Sequence, residues 1–385
     1  MKNINIQPLV FEGSKCTLKR SIEKNILGIF ESYCYNEIDL PLLCATDAKI
    51  RESLVVPVAK QLSTTLKDCI LPERLYFSGN VYKQKSYMGC DIGEISLSGV
   101  CLAGESNPKA DAEVISIMIN SLLGIGMTEF TISVSNAEFI SGIAEKYGLN
   151  LEALKELICE NNAQKLEEYL DKNNMESDIK KLILSLPTLF GDLNIFDEIN
   201  MDILGEKSKN AISNIKRIYK LLCDYDMEKY IQVDLSIADN ENYYDGMLFK
   251  GTVNKTEDFT VCSGGRCSSL AKNFGRNIPL VAGHLEISKI TELIHSDADT
   301  DAKLTPLALV ASDIPKLAYK VSFGLRAQGL KVEDYVSGAS MIEAIEYGEE
   351  KGITIIIWVN EETAIMRNLK TGEMSETSVD KLLGN

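Results

Sequence analysis

The chain of 385 residues contains only two histidines, His284 and His295. A catalytic triad built on histidine and a histidine-rich metal site are therefore not expected. The ten cysteines also lack metal-site spacing, because no two form a Cys-x-x-Cys pair and the nearest two, Cys262 and Cys267, do not have the spacing of zinc ligands. We expect buried free thiols, and we predict no metal site and no cofactor.

Long apolar runs and positive charge are also scarce. No stretch approaches the roughly 18 apolar residues of a membrane-spanning helix, and the opening residues, MKNINIQPLVFEGSK, contain no apolar signal-peptide core. The net charge is −16 and the pI is about 4.8, which disfavours broad binding to the phosphate backbone of tRNA. We expect a soluble, cytoplasmic protein that binds neither tRNA nor a membrane.

The hydrophobic pattern divides the chain into regions of different character. Apolar residues recur at helical spacing in residues 14–35, and residues 74–104 alternate between glycines as antiparallel strands do. Residues 136–228 have a strong 3.6-residue period and predict a mainly helical insertion in a first domain, residues 1–300. Residues 305–385 alternate strands and helices, which predicts a small α/β domain. The fold class expected is α+β.

Two segments carry recognisable motifs. Residues 74–113 read RLYFSGNVYKQKSYMGCDIGEISLSGVCLAGESNPKADAE, and residues 233–270 contain NYYDGMLFKG and SGGRCSSL. Together they resemble the class II histidyl-tRNA synthetase core, which reads roughly R-x-Y-x-G-x-V-F-R, R-E-F-x-Q-x-G-x-E-x-x-G and A-D-A-E, then R-G-x-D-Y-Y-T-G-x-x-F-E and G-G-G-R-Y-D-x-L. The resemblance covers about residues 10–135 and 230–290. It implies an antiparallel sheet with flanking helices, a helical insertion, and a C-terminal domain like the anticodon-binding domain.

The residues that would bind ATP in that family are replaced. The family has arginine at four positions that here are Lys83, Gly93, Asp239 and Lys289. Arginine forks suit phosphate because they donate planar, paired hydrogen bonds. A carboxylate at such a position would repel phosphate by several kcal/mol at short range, even at an effective dielectric constant of about 20. The resemblance therefore implies a scaffold that does not adenylate an amino acid.

The amino-acid pocket is also altered. Ser53 and Val55 stand where the family has glutamate and threonine, and Leu97 and Cys101 stand where it has glutamine and glutamate. A buried ammonium needs an acidic or carbonyl partner, and these replacements supply no side-chain acid. Four family-like residues remain as candidates for a vestigial ligand pocket: Glu94, Tyr243, Tyr244 and Arg266.

The two tyrosines have two interpretations. If both tyrosines lie in a strand, their side chains point to opposite faces of the sheet, so that only one can point into a given cavity. They either pack in the core or contribute one hydroxyl to a small-ligand pocket. We interpret His284 as a structural residue.

A synthetase-like chain of this length with degenerate motifs is similar to the ATP phosphoribosyltransferase regulatory subunits. That resemblance implies a non-catalytic protein that activates a short-form catalytic subunit in the first step of histidine biosynthesis and conveys feedback by free histidine. Class II cores dimerise through the segment corresponding to residues 14–43, so a homodimer within a hetero-oligomer is implied. Two alternatives stay open: a synthetase-like binding protein with another partner, and an altered class II ligase in which Lys83 and Lys289 replace arginines.

Overall fold

The computed structural model describes residues 6–7, 11–43, 50–83, 92–160, 162–237, 243–253, 259–297, 307–336 and 340–382. The chain forms two compact units, residues 1–299 and residues 300–385. Among the described residues there is no helix with the length and apolar character of a membrane span.

The first unit is built on a ten-stranded sheet. Its strands are β1 (Ile6–Gln7), β2 (Asn36–Glu37), β3 (Glu73–Lys83), β4 (Ile92–Ala103), β5 (Thr131–Asn136), β6 (Phe190–Gly191), β7 (Ile231–Asp234), β8 (Met247–Thr252), β9 (Thr260–Arg266) and β10 (Leu280–Glu286). They lie in the order β2-β3-β4-β10-β9-β8-β5-β7-β6, with β1 beside β4. The central pairs are antiparallel, as predicted, but β1–β4, β2–β3 and β5–β7 are parallel pairs that the sequence pattern did not indicate.

Ten helices are described in this unit: α1 (Gly13–Ser32), α2 (Val55–Ser63), α3 (Pro108–Gly124), α4 (Ala137–Tyr147), α5 (Leu151–Cys159), α6 (Ala163–Lys172), α7 (Ser177–Ser185), α8 (Glu206–Asp224), α9 (Ser268–Asn273) and α10 (Ile287–Asp297). The predicted helix at residues 14–35 is confirmed as α1, which buries Ile22, Ile26 and Phe30 at four-residue spacing. Asn107 caps the start of helix α3, because its side chain accepts a hydrogen bond from the Lys109 amide.

The two faces of the sheet carry separate cores. Helices α1, α3 and α10 bury their apolar residues in the core that includes Val100 and Leu102 of β4. Helices α2 and α9 cover the other face, where Leu97 and Cys101 of the same strand are buried. Even-numbered and odd-numbered residues of β4 therefore serve different cores, as the alternation of a strand requires.

The segment between β5 and β7 is mainly helical, as expected for residues 136–228. It contains α4 to α8, joined by short 3₁₀ turns and the two-residue strand β6. Asn150 and Asn162 cap α5 and α6 by accepting hydrogen bonds from backbone amides of the first turn. Helix α8 connects the segment to the main core, where it buries Ile215 and Ile218.

The second unit is a five-stranded sheet with helices on both faces. Its strands are β11 (Ala308–Ala311), β12 (Val332–Asp334), β13 (Ile355–Val359), β14 (Thr363–Asn368) and β15 (Met374–Ser378), in the order β12-β11-β13-β14-β15. Its helices are α11 (Pro315–Ala327), α12 (Met341–Lys351) and α13 (Val379–Leu382). Strands β11, β12 and β13 are parallel, which confirms the predicted α/β pattern, whereas the antiparallel hairpin β14–β15 was not predicted.

Helices α11 and α12 lie on opposite faces of this second sheet. Val321 of α11 packs with Val310 and Ile357 in one core, and Ala344 of α12 packs with Ile356 in the other. Strand β13 is thus apolar on both faces, which is typical of a central strand covered by helices on both sides.

Candidate ligand cavity

A cavity of about 120 Å³ lies on the face of the first sheet that α2 covers. Four strands supply its floor, and two connecting segments supply its walls. The residues that line it are the segment 52–55, Phe77, Leu97, Tyr243, Tyr244, Ser263 and His284. The structure therefore brings together the two predicted tyrosines with Ser53, Val55 and Leu97, which are the positions where the sequence departs from the synthetase pocket.

The cavity floor depends on a glycine in β4. Gly99 pairs with Phe77 of β3 on one side and with His284 of β10 on the other. A Cβ atom at Gly99 would overlap the carbonyl oxygen of Gly283 and lie 2.8 Å from the His284 Cβ. The Phe77 ring would also lie 2.8 Å from such a Cβ, so only a residue without a side chain fits between the cavity residues Phe77 and His284.

Tyr243 and Tyr244 both line the cavity, so the prediction that only one could do so was wrong. Strand β8 begins at Met247, and the tyrosines lie in the segment before it. The Asp245 carboxylate accepts hydrogen bonds from the backbone amides of Ser268 and Ser269, at 3.1 and 2.6 Å, which fixes this segment against α9. The tyrosine ring centroids are 4.7 Å apart and tilted by 45°. Because the segment is not a strand, the two side chains need not alternate.

The other polar groups of the cavity come from three elements. Ser263 of β9 and His284 of β10 are cross-strand partners, and the Ser263 Oγ lies 3.2 Å from the His284 Nε2. The Ser53 Oγ accepts a hydrogen bond from the Val55 amide at 3.1 Å, at the start of α2. Glu52, an exposed residue at the cavity, was missed by sequence reasoning, since only Ser53 and Val55 were compared with the family motif. No lysine or arginine is among the described residues that line the cavity.

Glu94, another predicted pocket residue, does not line the cavity. It lies in β4, and the Asn80 Nδ2 donates a hydrogen bond to its Oε1 at 2.5 Å. Burial raises the pKa of the Tyr82 hydroxyl, and the Glu94 carboxylate, which accepts its hydrogen bond, raises it further. The Glu94 carboxylate is therefore engaged with β3, and its role in ligand binding stays a prediction.

Arg266 is bound to the start of α3 rather than placed at the cavity. Its Nε lies 2.9 Å from the Asp111 Oδ1, and one of its terminal nitrogens donates to the Asp111 Oδ2 at 3.0 Å. It also donates to the backbone carbonyls of Glu105 and Asn107. Burial raises the pKa of the Asp111 carboxyl to about 6, although the Arg266 charge opposes this shift. The ion pair ties β9 to α3, and ligand binding by Arg266 stays a prediction.

At the positions where the family has arginine, the described residues provide no unpaired positive charge for a phosphate. Gly93 lies in β4. The ammonium of Lys289 on α10 lies 2.8 Å from the carboxylate of Glu286, the last residue of β10, and Lys289 does not line the cavity. The Lys83 side chain and Asp239 lie outside the described residues.

The cysteines are free thiols wherever they are described, but most of them are not buried. Only three are: Cys101, Cys262 and Cys267. Burial raises the pKa of the Cys101 thiol, which keeps it protonated. Among the described residues, no cluster of three or more histidine, cysteine, aspartate or glutamate side chains could hold a metal.

The sequence alone does not identify Ser263 and His284 as cavity residues, because this requires knowing how the strands pair. The pairing of β9 with β10 sets them side by side, and the pairing of β10 with β4 places His284 opposite Gly99. These pairings join residues far apart in the chain, so the local pattern does not show them.

The curated relatives extend over nearly the whole chain. The ATP phosphoribosyltransferase regulatory subunit of Acetivibrio thermocellus is 29% identical over 400 residues, which cover 96% of this chain and 96% of the relative. The protein of the same name from Ruminiclostridium cellulolyticum is 28% identical over 410 residues, covering 99% of this chain and 97% of the relative.

Solved structures share the fold. An ATP phosphoribosyltransferase regulatory subunit/histidyl-tRNA synthetase from Bacillus halodurans C has a TM-score of 0.79 at 21% identity, covering 93% of this chain and 97% of that one. The histidyl-tRNA synthetase from Nostoc sp. PCC 7120 has a TM-score of 0.77 at 18% identity, covering 97% and 96%. The predicted class II synthetase-like fold is thereby confirmed. The family model of histidyl-tRNA synthetase matches residues 50–289, which is more than half of the chain, and the chain belongs to that family.

Proposed function

We propose that this chain is the non-catalytic regulatory subunit of an ATP phosphoribosyltransferase, the enzyme of the first step of histidine biosynthesis. The observation that carries the proposal is the similarity to regulatory subunits over nearly the full length of both proteins. In this role the chain binds a short-form catalytic subunit and activates it, while the phosphoribosyl transfer takes place on the partner.

The electrostatics of the cavity support a non-catalytic role. An adenylating enzyme must neutralise the phosphates of ATP, and it does so with guanidinium or ammonium groups. The described lining includes Glu52, an acidic residue, but no lysine or arginine. The one former arginine position with a described charged side chain, Lys289, is already paired with Glu286. A triphosphate placed here would meet repulsion rather than counter-charge.

The same cavity is the candidate site for free histidine. A bound amino acid needs a partner for its ammonium, and the Glu52 carboxylate at the cavity can provide it. Tyr243 and Tyr244 offer aromatic faces for an imidazole ring and hydroxyl groups for hydrogen bonds. Feedback by histidine in this chain is therefore assigned to Glu52 and the two tyrosines.

A homodimer within the complex is supported by the outer edge of the first sheet. Strand β2 is the edge strand, and both of its residues are exposed. Three large apolar side chains are also exposed near this edge: Leu42, Leu43 and Ile50. Because exposed apolar groups at a sheet edge favour association, the segment 14–43 is the proposed contact between two copies.

The test is a co-purification of this chain with the short-form catalytic subunit, followed by a rate measurement with and without histidine. Complex formation with a raised rate is expected. A complex that forms without a change in rate, or no complex at all, would contradict the proposal and favour a binding protein with another partner.

The histidine site is tested by two matched variants. Glu52→Gln removes the cavity carboxylate, and Glu168→Gln removes an exposed carboxylate on α6. Isothermal titration with histidine should show at least tenfold weaker binding for Glu52→Gln only, since a lost charged partner costs about 1.5–3 kcal/mol. Equal binding by both variants would place histidine elsewhere in the complex, without affecting the proposed activation.

A further inference from the structure

The exposed face of α11 combines aromatic rings with positive charge. Tyr319 and Phe323 are 64% and 61% exposed, and their ring centroids lie 6.1 Å apart. Lys316 and Lys320 lie on the same face, because residues three, four and seven apart share one side of a helix. Both lysines are exposed, and neither has an acidic partner among the residues that the structure describes. Like charges four residues apart also repel, so this face favours an acidic, apolar partner.

The exposed face of α12 has the complementary character. Ile342 is 70% exposed, and Glu346 and Glu350 follow it at intervals of four residues on the same face. Both glutamates are exposed, and neither forms a salt bridge with any described residue. This face thus presents an apolar side chain beside unbalanced negative charge, at the same helical spacing as the lysines and rings of α11.

The two faces cannot meet within one copy. Helix α11 packs on the core that contains Val310 and Ile357, whereas α12 packs on the opposite side of the same sheet, against Leu309 and Ile356. The five-stranded sheet separates them. A contact between the faces therefore requires two chains.

We propose that α11 of one copy binds α12 of a second copy. The contact joins two different surfaces, so it is heterologous, and after the first contact one copy keeps a free α12 face and the other a free α11 face. Assembly through this contact continues into a ring or an open chain of second units, independently of the dimer contact assigned to the first unit. A second copy is the expected partner because the basic, aromatic face of α11 complements the acidic, apolar face of α12. The contact should weaken as salt screens the exposed charges.

Charge reversal on the full-length chain tests this contact. The variant K316E/K320E makes the α11 face acidic, and E346K/E350K makes the α12 face basic. Sedimentation velocity over a range of concentrations should show that either variant weakens assembly beyond the dimer at least tenfold. Combining all four substitutions restores opposite charges across the contact and should return the association constant to within about threefold of the original. K370E/K381E carries the same charge change at exposed sites elsewhere in the second unit and should leave association unchanged.

Three results would overturn the proposal. Wild-type chain that never exceeds a dimer at any concentration would do so, as would the absence of recovery in the fourfold variant. A loss of assembly in K316E/K320E but not in E346K/E350K would show that α11 binds some other acidic surface. Circular dichroism of each variant establishes that the fold is retained, which is expected because all the substituted residues are exposed.

Discussion

The buried ion pair between Asp111 and Arg266 makes the stability of the first unit depend on pH. The Asp111 side chain is fully buried, and its pKa in the folded protein is raised from 3.8 to about 6. Burial, which raises the pKa, therefore outweighs Arg266, which lowers it. The folded state binds the Asp111 proton more tightly than the unfolded state does. The stabilisation from this protonation is therefore complete below about pH 4 and is lost as the pH rises through 6.

The size of this effect follows from the shift. A difference of about two pKa units corresponds to about 3 kcal/mol of unfolding free energy. We compare wild type with Asp111→Asn, which cannot titrate. Because the unfolded carboxyl is already partly ionised at pH 4, the wild type should lose about 2 kcal/mol relative to Asp111→Asn between pH 4 and pH 7, measured by urea unfolding followed by circular dichroism.

Two controls identify the source of the change. Trp358 is the only tryptophan of the chain and lies in β13, so its fluorescence reports the second unit, whose transition should not respond to Asp111→Asn. Asp178→Asn removes an exposed carboxyl on α7 and should track the wild type at every pH. A pH-independent difference between wild type and Asp111→Asn would refute the reasoning. A difference of opposite sign would mean that Arg266 outweighs burial.

Two further substitutions test the local arguments by urea unfolding. Gly99→Ala should lower the unfolding free energy by about 1–3 kcal/mol or more, because the added methyl would collide with the Gly283 carbonyl oxygen and the His284 Cβ; an unchanged value would mean that the strands can separate at no cost. Asn107→Ala removes the cap of α3 and should cost about 1 kcal/mol, whereas Asn107→Asp, which keeps an acceptor oxygen, should cost less. Equal losses in the two Asn107 variants would contradict the capping role.

The sequence predicted the scaffold better than the site. Helix α1, the hairpin strands β3 and β4, and the alternating pattern of the second unit follow from local periodicity, which is a property of neighbouring residues. The parallel pairs of the first sheet and the hairpin β14–β15 were missed. The strands of that hairpin are half exposed and carry many polar residues, so their apolar pattern is weak.

The site was only partly predictable, because distant contacts position its residues. Asp245 holds the tyrosine segment to the start of α9 through hydrogen bonds to residues more than twenty positions away. Arg266 matched the family motif by sequence, but its guanidinium is bound by Asp111 of another element. A motif therefore identified which residues are shared with the family, and only the packing determined which of them face the cavity.

The pairing of β4 with β10 has a consequence for synthesis of the chain. This ladder joins Ala103 to Leu280 and Leu97 to Glu286. The ribosome must therefore synthesise the helical segment and strands β7, β8 and β9 after β4 before β10 is available to pair with it. At ~5–20 residues per second that delay is on the order of ten seconds or longer. During it, residues 97–103 of β4 have no native partner on the edge that β10 later occupies, and an unpaired strand edge can bind other strands. The nascent chain is consequently most exposed to misassembly before β10 emerges, and chains that terminate within the helical segment lack the strand needed to complete the centre of the sheet.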